Sequence, residues 1–183
     1  MEENQVTVDG VSHPLPKPFM IIATQNPTGA AGTQLLPDSQ MDRFMIRLSI
    51  GYPSMQSEAE IVMRHQGGNI LDAVNRIITR DELEEMKREV AKVHIAPAVL
   101  EYIISLVTAT RSNEYIMRGA SPRASLALAM IAKANAWVQG RDYIVPEDVQ
   151  LFIYDCIGHR IRLTPEGEES KKGVRWVLER IIN

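Results

Sequence analysis

The hydrophobic pattern of this 183-residue chain changes period part-way along, and that change limits the fold more than any figure of composition. Up to about residue 66, short apolar or alternating runs are parted by proline and glycine, the pattern of strands. Beyond Gly67-Gly68-Asn69, apolar residues recur at spacings of three and four to the end, the pattern of helices. A strand-bearing piece of an α/β fold over 1–66, joined to an all-helical piece over 67–183, is therefore expected, and the whole should be mostly helical. Only 5% of residues are aromatic while nine are methionine, which suits Leu- and Met-packed helices better than a β-sandwich.

Local signals place the elements. Asp9-Gly10 inside the alternating run Gln5–His13 supplies the positive φ values of a tight hairpin. Phe19–Thr24 is continuously apolar up to its final threonine and reads as a central strand buried on both faces, and Met45–Ile50 alternates as a second core strand. Residues 27–37 read as a loop and Asp38–Asp42 as a short helix; Ser54 caps a helix reaching about His65. Thr79 with Glu82 forms a capping box for a helix ending near Val93. Pro97 opens the next helix, with Val99, Ile103, Leu106 and Val107 on one face, and Ser121-Pro122 opens a third that runs to Trp137. Val145-Pro146 opens a fourth ending near Ile157. An extended piece, a Pro-Glu-Gly turn and a last amphipathic helix from about Lys171 complete the chain. A hairpin and two core strands do not make a sheet that covers both of its faces, so the first piece looks incomplete.

Several classes of function are set aside. Net charge is −3, so no bulk positive field advertises nucleic acid, and the hairpin carries Val6, Val8, Val11 and Asp9 with no cation for phosphates. No apolar run approaches the roughly 20 residues of a membrane span, and the acidic start Met1-Glu2-Glu3 is unlike a signal peptide, so a cytoplasmic protein is expected. The single Cys156 excludes a disulfide framework and reads as a buried thiol. His13, His65, His94 and His159 lack ligand spacing, and no metal site is expected. No Gly-rich loop ends in Gly-Lys-Ser/Thr: Gly29-Ala30-Ala31-Gly32-Thr33 lacks the lysine.

Three positions remain. Asn26, in Ala23-Thr24-Gln25-Asn26-Pro27, follows a buried strand, where α/β sheets bind ligands. It reads either as the holder of an attacking water or, as the local pattern alone favours, as an Asx turn before Pro27. Arg43 ends the short helix within Leu36-Pro37-Asp38-Ser39-Gln40-Met41-Asp42-Arg43-Phe44. It suits stabilisation of a transferring phosphoryl group, including a neighbour's, or else serves the helix dipole or pairs with Asp42. Arg123, in Gly119-Ala120-Ser121-Pro122-Arg123-Ala124, lies in the first turn of a helix, where the dipole disfavours a cation unless an anion joins it.

In this order the motifs resemble the MoxR family of AAA+ ATPases. The opening through Leu15-Pro16 is similar to the stretch after Walker B with the hairpin before sensor 1. Ala23–Pro27 is similar to sensor 1, with Asn26 as the sensor. Leu36–Phe44 resembles the arginine-finger segment, with Arg43 as the finger. Gly51-Tyr52-Pro53 also fits, and Gly119–Ala124 resembles sensor 2 at the start of a lid helix, with Arg123 as the sensor. The resemblance implies a partial α/β AAA+ core followed by an all-α lid bundle. It implies ATP with Mg²⁺ held by Walker residues upstream of Met1, so that this chain alone does not hydrolyse ATP. It further implies a ring, commonly a hexamer, in which Asn26 orients water, Arg43 reaches the neighbour's site and Arg123 contacts the γ-phosphate. Client proteins, including partners with von Willebrand A domains, would be remodelled or matured. The alternative from the residues alone is a non-enzymatic helical interaction module from about Thr79 onward.

Overall fold

The computed structural model describes residues 5–25, 36–64, 74–169 and 173–182. Its elements run β1 (Gln5–Val8), β2 (Val11–Pro14), α1 (Asp38–Met41), α2 (Met55–Arg64), α3 (Arg80–Lys92), α4 (Pro97–Ser112), β3 (Ile116–Arg118), α5 (Pro122–Val138), α6 (Pro146–Leu151), α7 (Ile153–Ile157), β4 (Arg162–Leu163), α8 (Pro165–Glu169) and α9 (Gly173–Ile182). The change of period expected at Gly67-Gly68-Asn69 and the loop expected over 27–37, apart from Leu36 and Pro37, lie outside the described residues.

The hairpin forms as its turn chemistry dictates. β1 and β2 pair antiparallel from Gln5↔Pro14 to Val8↔Val11, and Asp9 and Gly10 take φ of 50° and 79°. Two successive positive φ angles match the twist of the flanking strands. The two expected core strands are not formed. Among the described residues the sheets are the pairs β1-β2 and β3-β4, and Phe19–Thr24 and Met45–Ile50 have no ladder partner. An apolar run encodes a capacity for burial, but a strand exists only where neighbours take its N–H and C=O groups. Without them Met20, Ile22, Leu48 and Ile50 stand 78%, 80%, 66% and 97% exposed.

The core sits in the helical part, every buried apolar residue among those described falling between Val93 and Leu178. Ile103, Leu106 and Val107 of α4 face Ala124, Ala127, Leu128, Ala132 and Ala136 of α5. Small residues at three- and four-residue spacing let the helix axes approach closely. Val149, Ile153, Cys156 and Ile157 from α6 and α7, and Val177 and Leu178 from α9, close the other side. α3 lies outside this core with no buried residue and begins at the capping box. The Thr79 N–H donates to Glu82 Oε2 at 2.6 Å, and the Glu82 N–H to Thr79 Oγ1 at 3.2 Å.

Two local expectations are corrected. The single helix expected from Val145 to Ile157 is two, because the Phe152 N–H bonds to Val149 O three residues back, at 3.4 Å. That tighter turn interrupts the α-helical ladder before α7 restarts. The Pro-Glu-Gly turn is the helix α8: Thr164 Oγ1 accepts from Gly167 N at 3.2 Å, so Thr164 caps a helix with Pro165 at its first position. Asp148, at the third position of α6, is also more than a favourable first-turn acid. Its buried carboxylate takes two bonds from Arg141 (2.6 and 2.8 Å), one from Asn135 (2.6 Å) and one from the Val145 N–H (2.9 Å). The Arg141 hydrogen bond above all holds it below the usual carboxylate range.

Cys156 is fully enclosed, and burial pushes its thiol up to about 12. A thiolate is the reactive form, so Cys156 should stay unmodified by a disulfide reagent at pH 8 in the folded chain and react promptly in denaturant. Fast labelling without denaturant would show that α7 opens locally.

Candidate functional site: the junction of residues 36–47 with the helical part

The site begins with two carboxylates four residues apart. Asp38 opens α1 and Asp42 is its C-cap, so both project on one side of the helical turn. That side faces the helical part. Asp38 lies 2.7 Å from Arg118 of β3 and 3.3 Å from Arg162 of β4, residues that are cross-strand partners in the β3-β4 ladder. Like charges opposite one another repel, and the carboxylate between them offsets that. Asp42 accepts from Ser121 Oγ, which lies 2.9 Å from both carboxylate oxygens. It also pairs with Arg123 at 3.3 Å and with the Nε of Arg160 at 3.3 Å.

The loop that carries Ser121 is fixed from α4. Thr110 Oγ1 accepts the Ala120 N–H at 3.0 Å, and Arg111 Nε donates to Ala120 O at 2.9 Å. A Cβ on Gly119 would stand 2.7 Å from Arg111 Cα and Thr110 O, so the backbones meet only because this residue is glycine. Ser121 then caps α5 by accepting the Arg123 N–H at 3.2 Å. With Pro122 as its first residue, α5 starts with Arg123 reaching Asp42.

The buried centre of the junction is His159-Arg160. The Arg160 side chain is 2% exposed. Its guanidinium donates to the carbonyls of Asp42 (3.2 Å), Phe44 (2.6 Å), Met45 (3.1 Å) and Cys156. Burial lowers its pKa, an effect the Asp42 charge opposes. His159 Nε2 lies 3.0 Å from Phe44 O, and a carbonyl can only accept, so the ring carries its hydrogen on Nε2. The segment is further held where Arg47 N donates to Asp155 O at 2.9 Å.

Burial chiefly, with the nearby Arg160 and Arg47 charges, pushes the His159 pKa down. A group depressed on folding contributes its full stability above its unfolded pKa of about 6.5, and that contribution is lost as pH falls through the lower folded value. Denaturant unfolding between pH 7.5 and 5.5 should show stability falling toward acid, by at most about 1.4 kcal/mol per pH unit for one proton. In His159→Gln the slope should flatten. An unchanged slope would assign it to other groups.

The three residues singled out from sequence fare differently. Arg43 and Arg123 are brought to one junction, joined through Asp42; Arg43 is exposed at its rim. Arg43 borders a hollow of ≈ 270 Å³ lined also by Phe19, Met20, Ile21, Phe44 and Met45. Asn26 lies outside the described residues. Sequence reasoning passed over Asp38, Arg118, His159, Arg160 and Arg162. A His-Arg pair between Ile157-Gly158 and Ile161 was the available signal, since a charge set among buried apolar positions needs partners. Among the described residues, Arg118 and Arg162 share Asp38 while Arg123 and Arg160 share Asp42.

Two family models match the chain: the AAA lid domain over residues 108–181, and the ATPase family associated with various cellular activities over residues 1–46. Bacillus subtilis YeaC, an uncharacterised protein, is 37% identical over 185 residues, covering 99% of this chain and 58% of YeaC. The chaperone MoxR1 of Mycobacterium tuberculosis is 34% identical over 191 residues, covering all of this chain and 50% of MoxR1. A crystal structure of a Cytophaga hutchinsonii protein assigned as an ATPase superposes with a TM-score of 0.88 at 38% identity, covering 99% of this chain and 58% of that one. The chain thus spans a little over half the length of the relatives it matches. Among the described residues no helix is long and apolar enough to cross a membrane.

Proposed function

Because the chain belongs to the MoxR family of AAA+ ATPases, we propose that it supplies the finger and sensor side of an ATP site whose phosphate-binding side lies upstream of these residues. The parent protein couples ATP hydrolysis to chaperone-like remodelling or maturation of client proteins, von Willebrand A-domain partners among them, as a cytoplasmic ring, commonly a hexamer. Residues 1–66 then complete the α/β core and residues 67–183 form the lid. The observation that carries this reading is the junction itself: an exposed Arg43 in a segment gripped by the lid, one residue from a carboxylate shared with Arg123.

The residues present suit one side of ATP and not the other. Arg123, in the first turn of α5, fits a terminal phosphate. The sequence contains no Gly-rich run ending in Gly-Lys-Ser/Thr to cradle the other phosphates. ATP with Mg²⁺, when bound at the subunit boundary, supplies the phosphoryl group transferred to water. Asn26 orients that water, Arg43 offsets charge that develops on the neighbour's site, and Arg123 exchanges Asp42 for phosphate as the lid moves. The test is ATP turnover by the chain alone and after mixing with a recombinant upstream half. Turnover on mixing only is the expected result; silence in both, despite a folded complex, counts against the reading.

A second reading is favoured by one observation, the confinement of the apolar core to Val93–Leu178. The helical part would then fold independently as an interaction module. Ligand binding to a folded state raises its stability, so a melting temperature of the mixed complex that ATP leaves unmoved would support this module instead.

A further inference from the structure

We propose that Arg160, assisted by His159, is a positioning residue for Arg43: it clamps the backbone on both sides of the finger and shares Asp42 with Arg123. The finger's presentation is thereby set by the lid. This rests on Arg43 being the finger.

The geometry is specific to backbone rather than to packing. The carbonyls that Arg160 takes are those of Asp42, immediately before Arg43, and of Phe44 and Met45, immediately after it. His159 takes the Phe44 carbonyl a second time. Among the described residues no bond holds the Arg43 side chain; it is exposed, and its direction follows from the three peptide units that bracket it. Without Arg160 the Asp42 and Met45 carbonyls would lose this donor, and Phe44 O would keep only His159. Only a guanidinium offers five donors in a rigid fork able to reach several carbonyls at once.

A buried charge is a costly means of holding two elements together, and apolar packing does that as well or better. What apolar packing does not do is fix the direction of a backbone segment whose next side chain must act on another molecule. The same guanidinium also bonds Cys156 O at the end of α7, inside the helical core, so the reference frame for the finger is the lid and not the core that precedes it. Asp42 extends the connection. It is held at once by Arg160, Ser121 and Arg123, and an anion that draws Arg123 away leaves Arg160 as its remaining cation. A change at the sensor is therefore delivered to the residue next to the finger with no intervening flexible segment.

The test uses mixed rings of the parent ATPase. Acceptor subunits keep the phosphate-binding lysine and carry Arg43→Ala; donor subunits lack that lysine and keep Arg43, so turnover arises only where a donor's finger meets an acceptor's site. Donors carrying Arg160→Gln should lower kcat about 10- to 100-fold, the scale of a small misplacement of a catalytic group. The KM for ATP should not move, because the acceptor's own binding loop is intact. Arg160→Lys, which keeps the charge but not the fork, should recover part of the loss. Amide exchange across residues 43–47 should accelerate in both variants while α4 and α5 stay protected.

Folded Arg160→Gln donors that sustain the kcat of unmodified donors would overturn the clamp. So would a rise in KM with kcat unchanged, which would place Arg160 in nucleotide binding. If Arg160→Gln donors do not fold, Arg160→Lys and His159→Gln are read on the same two parameters. If unmodified donors do no better than Arg43→Ala donors, the finger assignment itself fails and takes the clamp with it.

Discussion

Arg43→Ala in the parent ATPase should reduce kcat by about 10³- to 10⁵-fold, the span seen for arginine fingers, while ATP binding stays within a few-fold of normal. At about 1.4 kcal/mol per tenfold this is roughly 4 to 7 kcal/mol of transition-state stabilisation. Three structural facts argue for so large an effect from one exposed side chain. Arg43 is exposed just beyond a short helix, it borders a hollow lined also by Phe19, Met20, Ile21, Phe44 and Met45, and the backbone on either side is bonded to a buried guanidinium. Closing such a site removes water and strengthens the electrostatic term.

Because the finger would act on a neighbour, the decisive experiment is complementation. Neither Arg43→Ala subunits nor subunits lacking the phosphate-binding lysine should turn over alone, and mixing them should restore a fraction of activity. Mixed rings without recovery would mean that Arg43 acts within its own subunit, and normal turnover by Arg43→Ala alone would remove it from the chemistry. Since Arg43 is exposed, its loss should leave the melting temperature within about 1 °C, the behaviour of a surface change away from special features.

What could be read from sequence divides by range. The Asp9-Gly10 turn, the Thr79/Glu82 capping box and the helices opened by Pro97 and Pro122 were legible because each is decided within four residues. Phe19–Thr24 and Met45–Ile50 misled because a strand depends on partners far away, and apolar character survives in a segment that has none. The break at Phe152 follows from one shifted hydrogen bond, a difference too small to leave a mark on periodicity. Arg43 and Arg123 were singled out by their places relative to helix ends, but the bond between their two segments was not legible. Asp42 lies 79, 81 and 118 positions from Ser121, Arg123 and Arg160, and its own flanks suggested only a pair with Arg43. His159 looked like a stray histidine for the same reason: its partner, Phe44 O, is a backbone atom 115 residues away.

Asp42→Ala should be the most destabilising substitution at the junction. The carboxylate is the only acidic side chain against Arg160 among the described residues, and that guanidinium is 2% exposed. Removing one partner of a buried pair leaves an uncompensated charge, at a cost near 3 to 5 kcal/mol when no other bond remains. Here the carbonyls of Phe44, Met45 and Cys156 stay in place, so about 2 to 4 kcal/mol is expected, or a fall in melting temperature of roughly 5 to 15 °C for a chain of this size. Ser121 keeps its capping bond to the Arg123 N–H, so α5 should retain its helical signal while amide exchange rises over residues 42–47. Asp42→Asn separates charge from shape: it keeps an acceptor for Ser121 and loses the counter-charge, and should show most of the same fall. If both variants melt within 2 °C of the unmodified chain, the carbonyl bonds alone neutralise Arg160, and the link from Arg123 to the finger does not run through Asp42.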